Sequence, residues 1–263
     1  MTDAVHPLAG HFAGVSDAYE RGRPEYPAAV VGALAAEAGL RRGDPVLDLA
    51  AGTGKLTRAL HAFGLEVVAV EPLEALCAVL SESLGAQRVR RGTAEAIPLP
   101  DDSVAAVTVG NAFHWFDAPR ALAEIGRVLR PGAVLAVLDA GVDWRPASWA
   151  ADAIDEMTRL RPHHPRFDGP PWEEALQTHG WAAPETFHLS LDRPTDADSI
   201  VANFASMSWV AGLPEPERIE TLVRFRVLID AGETPARLPV HFHLSLTRPV
   251  SVARSITYRA AHD

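Results

Sequence analysis

The sequence predicts an α/β protein with a mostly parallel sheet covered by helices on both faces. Three observations predict it. Short apolar runs alternate with helically spaced segments of 9–12 residues between Pro45 and Asp139, a pattern that buries parallel strands beneath crossover helices. A small-residue turn, Ala50 to Gly54, joins the first apolar run to the first helical segment. The chain is 263 residues long with 48% hydrophobic residues, enough to bury roughly 70% of its unfolded surface without staples.

The elements follow in order. Prolines at 24 and 27 break any helix before Ala28 and permit one after it. Ala28 to Ala38 reads as an alanine-rich helix closed by Gly39. Val46 to Leu49 is the first strand, and Leu56, Ala59, Leu60 and Phe63 mark a helix that stops at Gly64. Val67 to Val70 is the second strand, Leu73 to Leu84 a helix, and Gln87 to Arg91 a polar third strand near an edge. Val104 to Val109 is the fourth strand. A helix marked by Leu122, Ile125 and Leu129 stops at Pro131-Gly132, and Ala133 to Leu138 is the fifth strand. Beyond residue 140, helices are expected at Trp149 to Leu160, Pro171 to His179, Ala197 to Val210 and Pro216 to Ile229. Strands are expected at Thr186 to Leu191 and Leu238 to Thr247. A near-duplicate octet, Phe187 to Pro194 and Phe242 to Pro249, agrees at seven of eight positions. Its flanks do not align, so it reads as two similar strands closing one sheet edge rather than as a repeat architecture.

Composition excludes several roles. The chain carries 24 Lys+Arg against 34 Asp+Glu, a formal charge of −10, which argues against a nucleic-acid partner because phosphate binding needs clustered bases. One cysteine makes neither an internal disulfide nor a cysteine zinc site, so a cytoplasmic compartment is expected. Met1 to Phe12 has no signal-peptide pattern. Ser103 to Phe116, without acid, Lys or Arg, runs 14 residues, short of the ~20 a membrane span needs.

The chemistry concentrates after the first two strands. Gly52 and Gly54 let the backbone approach a ligand and take positive φ, and the helix beginning near Lys55 aims free N–H groups at the same place. Asp48 ends the first strand, placed to accept a hydrogen bond or offset a positive charge. Glu71 ends the second strand, 17 residues after Gly54, where an acid in a doubly wound sheet reaches ribose hydroxyls. A dinucleotide dehydrogenase would carry a third glycine at the position of Thr57, and Asp48 would repel a pyrophosphate. The site prefers a cationic nucleoside.

Those residues carry a resemblance. Val46 to Thr57 resembles motif I of the class I S-adenosylmethionine-dependent methyltransferases, Val68 to Pro72 the second motif, and Gly92 to Asp101 the third. Asn111 to Phe116 resembles the segment after the fourth strand, and Leu129 to Gly132 the run before the fifth. Upstream, Phe12, Tyr19, Arg23-Pro24 and Tyr26-Pro27 resemble a subgroup that includes trans-aconitate and related small-molecule carboxyl methyltransferases. The resemblance implies a Rossmann-like, seven-stranded sheet with the last strand antiparallel. It divides one structural domain into a cap and lead-in helix (1–44), a cofactor-binding core (45–140) and a C-terminal half (141–263), whose helices at 195–231 would join the N-terminal segment in capping the cofactor and shaping the acceptor site.

Carried over by position, the resemblance implies S-adenosyl-L-methionine as cofactor. Asp48 would lie near its methionine amino group, with the backbone of Gly52 and Gly54 against it. Glu71 would bind both ribose hydroxyls, Pro72 and Leu73 would cover the adenine, and Ala94 would offer its N–H to a ring nitrogen. Thr93 stands where relatives carry an acid for the exocyclic amine, so Thr93 or Glu95 must serve. Asn111 and Ala112 would contact the methionine, with Tyr19 and Arg23 over it and the Arg23 guanidinium toward its carboxylate. Ala50 replaces a usual glycine; its methyl group is tolerated at negative φ and lowers affinity at positive φ.

His114 and Trp115 would face the transferring methyl, His114 as general base for a hydroxyl or amine, or as a structural histidine if the acceptor is a carboxylate. Trp144 belongs to a tryptophan-rich region expected to form the acceptor pocket. His163-His164 and His241 with His243 lack partners at ligand spacing, so no metal is expected. The expected function is methyl transfer to a small molecule, most readily at oxygen. N- or C-methylation, a nucleotide-dependent oxidoreductase and a non-catalytic cofactor-binding protein are the alternatives. The oligomeric state stays open. Cys77 reads as a packing residue.

Overall fold

The computed structural model describes residues 6–161 and 163–250. Two short N-terminal helices, α1 (Pro7–Gly10) and α2 (Ser16–Gly22), precede α3 (Ala28–Ala38). The alternating core follows: β1 (Pro45–Leu49), α4 (Lys55–Phe63), β2 (Glu66–Glu71), α5 (Glu74–Leu84), β3 (Val89–Arg91), β4 (Val104–Gly110), α6 (Ala118–Val128) and β5 (Leu129–Val142). Then come α7 (Ala150–Leu160), α8 (Pro165–Asp168), α9 (Trp172–Thr178), β6 (Glu185–Pro194), α10 (Ala197–Ala205), α11 (Ser208–Ala211), α12 (Glu215–Ala231) and β7 (Arg237–Thr247).

The seven strands form one sheet in the order β3-β2-β1-β4-β5-β7-β6. Strands β1 to β5 pair in parallel, and β7 inserts antiparallel to both β5 and β6. The order reverses between β1 and β4, so the carboxyl ends of those two strands open onto a crevice where α/β sheets bind ligands.

Period-two alternation splits each strand between two cores. Val46, Val67, Ala106 and Leu138 face α3 and α4 through Val30, Leu34, Leu56 and Leu60. Leu47, Val70, Val107 and Val137 face α6 and α9 through Leu122, Ile125 and Leu176. Each such large side chain removed from water stabilises the fold by about 1.5–3 kcal/mol. A third cluster joins α7, α10 and α12 around Phe204 and Phe225. Helix ends follow local chemistry. Gly54 and Gly64 bound α4 at φ 90° and 102°. Asp117 caps α6 by accepting from the Arg120 N–H, and Asp196 with Ser199 forms a reciprocal capping box on α10.

Two expectations need correction. The continuous helix expected over 197–210 is broken, with α10 ending at Ala205 and α11 starting at Ser208. Met207 is extended at ψ 132°, and Arg23 donates to both the Ser206 hydroxyl (2.8 Å) and its carbonyl (3.3 Å), taking the acceptor a continuing helix would use. The fifth strand begins before Pro131-Gly132 rather than after it, because Leu129 already pairs with Val104 and an irregularity absorbs the Pro-Gly before Val134 meets Ala106. Among the described residues no helix is long and apolar enough to cross a membrane.

Candidate functional site

At the carboxyl ends of β1, β2 and β4 lies a cleft of ≈ 920 Å³ measured to its open mouth. Its floor is the β1–α4 loop. Gly52 sits at φ 59° and Gly54 at φ 90°, both glycine conformations, while Ala50 holds φ 55° against its Cβ. Beneath the loop, Asp48 is buried at 1% exposure. Its carboxylate accepts from the Thr57 hydroxyl at 2.6 Å and the Thr108 hydroxyl at 3.0 Å. Burial lifts the Asp48 carboxyl to about 6, and those two hydroxyls limit the rise. Thr57, whose side chain already spoke against a third glycine, thus has a positive role that spacing alone does not reveal.

Glu71 closes one wall. It accepts from the Gly52 N–H at 2.9 Å and the Leu73 N–H at 3.0 Å, clasping the loop to the end of β2. Burial lifts its carboxyl to about 7 against the pull of those N–H groups. Pro72, Leu73 and Leu76 continue this wall, and Thr93, Ala94 and Glu95 stand opposite. Two hydroxyls, of Thr53 and Thr93, are buried with no hydrogen-bond partner among the described residues. Glu95 already accepts from the Asp117 N–H. Asn111, at φ 53°, follows β4; its amide oxygen accepts from the Ala140 N–H and its amide nitrogen lies 3.4 Å from the Tyr26 hydroxyl. The N-terminal segment roofs the cleft with His6, Ala9, Phe12 and Tyr19, and Trp115 meets the rings of His6 and Phe12 at 5.1 and 6.1 Å. A smaller adjoining recess holds Asp48, Tyr26 and Lys55.

A methyltransferase-domain family model matches residues 47–137 of this chain. The chain is 36% identical over 235 residues to an uncharacterized methyltransferase of Mycobacterium bovis, covering 87% of this chain and 89% of that protein. It is 29% identical over 165 residues to the malonyl-[acyl-carrier protein] O-methyltransferase of Pectobacterium atrosepticum, covering 61% of this chain and 64% of that one. Its fold is similar to a solved type II methyltransferase structure from Anaeromyxobacter dehalogenans, with TM-score 0.58 at 25% identity, over 86% of this chain and 97% of the other. The chain belongs to the class I S-adenosylmethionine-dependent methyltransferases.

In this methyltransferase the remaining sequence-selected residues divide into two groups. Tyr19, Ala50, Gly52, Ala112 and Trp115 line the main cleft with the residues above. Gly54 lies behind it, where a Cβ would come within 2.6 Å of Leu80. Arg23 is tied to Ser206 and lies 5.6 Å from the Tyr19 ring centroid. No carboxylate pairs with it among the described residues, and burial pulls its pKa down. His114 stands behind Trp115, 4.8 Å between ring centroids, and 5.6 Å from His164. Burial lowers its pKa to about 3, aided by Arg166, His164, Arg23 and His6. Trp144 packs on Trp149 and Phe204 in the third cluster, away from the cleft residues.

Three residues of the methyltransferase escaped the sequence reading, Thr108, His6 and Arg166, and the hydrogen bonds of Thr57 and Tyr26 were not foreseen although both residues were noted. Arg166 bridges Asp139 at 3.1 Å and approaches Asn111 at 3.4 Å. A carboxylate at the end of the fifth strand, facing a Pro/His-rich connector that contains an arginine, is the signal that could have found that pair. Of the histidines singled out in the sequence, His164 is buried against Ser208, and His241 lies 3.4 Å from Asp143. Cys77 donates to the Glu71 carbonyl, and burial raises its pKa.

Proposed function

We propose that this methyltransferase moves a methyl group from S-adenosylmethionine to an oxygen of a small-molecule acceptor, a carboxylate ahead of a hydroxyl. The carrying observation is that His114, the imidazole nearest the end of β4, is held neutral with a pKa of about 3 beside Arg166 and Arg23. A group so acidic in its protonated form is a poor general base near neutrality. A carboxylate acceptor needs no base, and positive neighbours favour an anion. The similarity to an O-methyltransferase supports the same reading.

The residues present fit the cofactor. The loop from Ala50 to Gly54 gives a concave backbone cradle, and the Thr53 and Thr93 hydroxyls stand buried without partners. Glu71 would take the two ribose hydroxyls with lone pairs not used by Gly52 and Leu73. Pro72 and Leu73 would cover the adenine, Ala94 would donate its N–H to a ring nitrogen, and Thr93, rather than the already engaged Glu95, would meet the exocyclic amine. Asp48, Gly52, Asn111 and Ala112 would surround the methionine portion, with Gly54 shaping the turn behind them, Tyr19 above and the unpaired Arg23 toward its carboxylate. Bound there, S-adenosylmethionine supplies an electrophilic methyl group on a sulfonium. Trp115 with His6 and Phe12 excludes water and holds the acceptor face-on, so that the displacement is driven by alignment.

Isothermal titration with S-adenosylmethionine and S-adenosylhomocysteine, followed by an acceptor panel of carboxylic acids, phenols, alcohols and amines, tests the reading. Binding with S-adenosylhomocysteine formed from carboxylates or hydroxyls is expected. Turnover of amines alone would replace it with N-methylation, and no binding at millimolar cofactor would overturn it.

A further inference from the structure

β6 forms one end of the sheet and lies along β7. The two strands carry the near-duplicate octet, and they pair so that His188 lies opposite His243, equivalent positions in the two copies. A local two-fold therefore runs between these histidines. Phe187 faces Leu244 and Leu189 faces Phe242, one aromatic–aliphatic pair on each side of the axis. The two imidazoles stand 4.6 Å apart at 86°. The Phe-His-Leu segment that opens each octet is thus self-complementary as an antiparallel pair, while the remaining octet residues face residues outside it.

The outer edge of β6 presents that same octet, and no strand lies along it among the described residues. The two ends of the sheet differ. β3 is three residues long with Arg90 and Arg91, a short charged edge of the kind that resists pairing. β6 spans ten residues, with no proline between Pro184 and Pro194. Its apolar side chains, Phe187, Leu189 and Leu191, are only partly buried against the core.

We propose that β6 pairs antiparallel with β6 of a second copy of this chain, centred on His188, joining two seven-stranded sheets across a two-fold axis. Phe187 then meets Leu189 of the second copy, and Thr186 meets its Ser190, pairs of the kind that stabilise sheets. Glu185 falls diagonal to Arg193 of the second copy on the same face, once at each end, and no like charges stand directly opposed. The interface repeats the same patch on both copies, as a two-fold dimer requires. It is one strand wide, so the dimer is concentration-dependent.

Sedimentation velocity of the full chain from ~2 to ~200 μM reads it, the range suited to a small interface. A shift from monomer to dimer is expected. His188→Glu sets two carboxylates against each other at the axis while leaving a favourable neighbour, His243, within the chain; His188→Lys sets two ammonium groups there. Each variant alone is expected to stay monomeric, and an equimolar mixture to dimerise again. In a separate pair, His188→Cys is expected to oxidise to a disulfide-linked dimer, whereas Ser190→Cys, opposite Thr186, is not. A wild-type chain that stays monomeric throughout, a dimer indifferent to both charge variants, or equal cross-linking at 188 and 190 would each overturn the proposal.

Discussion

Glu71 accepts the Gly52 N–H at 2.9 Å, so the acid at the end of β2 and the loop after β1 are one hydrogen-bonded unit. Burial raises the Glu71 carboxyl to about 7, far above the ordinary carboxylate range. The sign of the pH effects follows. The native state keeps a proton that the unfolded chain releases, so this contribution to stability is full below about 4.5 and is lost as pH rises through about 7. Hydroxyl donors to the ionised carboxylate act oppositely, drawing the pKa down when a nucleoside binds. S-adenosylhomocysteine affinity is therefore expected to rise about tenfold between pH ~6 and ~8 with release of a proton. Titration calorimetry in two buffers of different ionisation enthalpy measures both, and Glu71→Ala should remove the pH dependence along with most of the affinity. A dissociation constant flat over that range would contradict the assignment.

Ala50 sits at φ 55°, on the positive side where its methyl group was expected to lower affinity. An L-residue there costs about 1–2 kcal/mol. Glycine removes that cost but adds about 0.4–1 kcal/mol of unfolded-state entropy to be lost. The net for Ala50→Gly is stabilisation of roughly 0.5–1 kcal/mol. Urea denaturation measures it, and cofactor affinity should rise in parallel because the loop no longer stores the strain. Lower stability in the variant would show that the loop relaxes when the methyl group is removed.

The parts of the fold legible in the sequence are those set by local periodicity. The bounds of α3, Ala28–Ala38, are as expected, because prolines open it and Gly39, at φ 71°, closes it. Residues that act through distant partners were not legible. Asp48 depends on Thr108, 60 positions away, and Arg23 on Ser206, 183 positions away. The broken helix at 206–207 has the same origin, since the atom that breaks it comes from α2's end. Trp144 is a case of the opposite kind. A tryptophan just past β5 looks like an acceptor-pocket residue, yet its ring is spent on Trp149 and Phe204.

Thr57→Val tests the support beneath the loop. The substitution keeps the shape and removes the 2.6 Å hydroxyl donor to Asp48. Asp48 is buried and already lifted to about 6, so losing a hydrogen bond drives its pKa higher and leaves a carboxylate oxygen without its donor. A loss of about 1–3 kcal/mol at neutral pH is expected. The deficit should shrink as pH falls below about 6, where the carboxyl is protonated and the missing donor matters less. Urea denaturation at pH ~5 and ~7.5 separates the cases; a deficit that does not change with pH would assign it to packing.

His114 discriminates between acceptor classes. With its pKa near 3, set first by burial and then by Arg166, His164 and Arg23, it stays neutral through the working range. It therefore contributes no ionisation to the turnover–pH profile between ~5 and ~8, unlike an imidazole at its ordinary value. If the acceptor is a carboxylate, His114→Gln should keep turnover within a few-fold, because the side chain supports Trp115 and moves no proton. If it were a general base, the same change would cost about 10²–10⁴-fold. Cofactor affinity is the control, since His114 lies behind Trp115 and outside the cleft lining. A large loss of turnover at unchanged affinity, with an ionisation that disappears in the variant, would move the acceptor from a carboxylate to a hydroxyl or an amine.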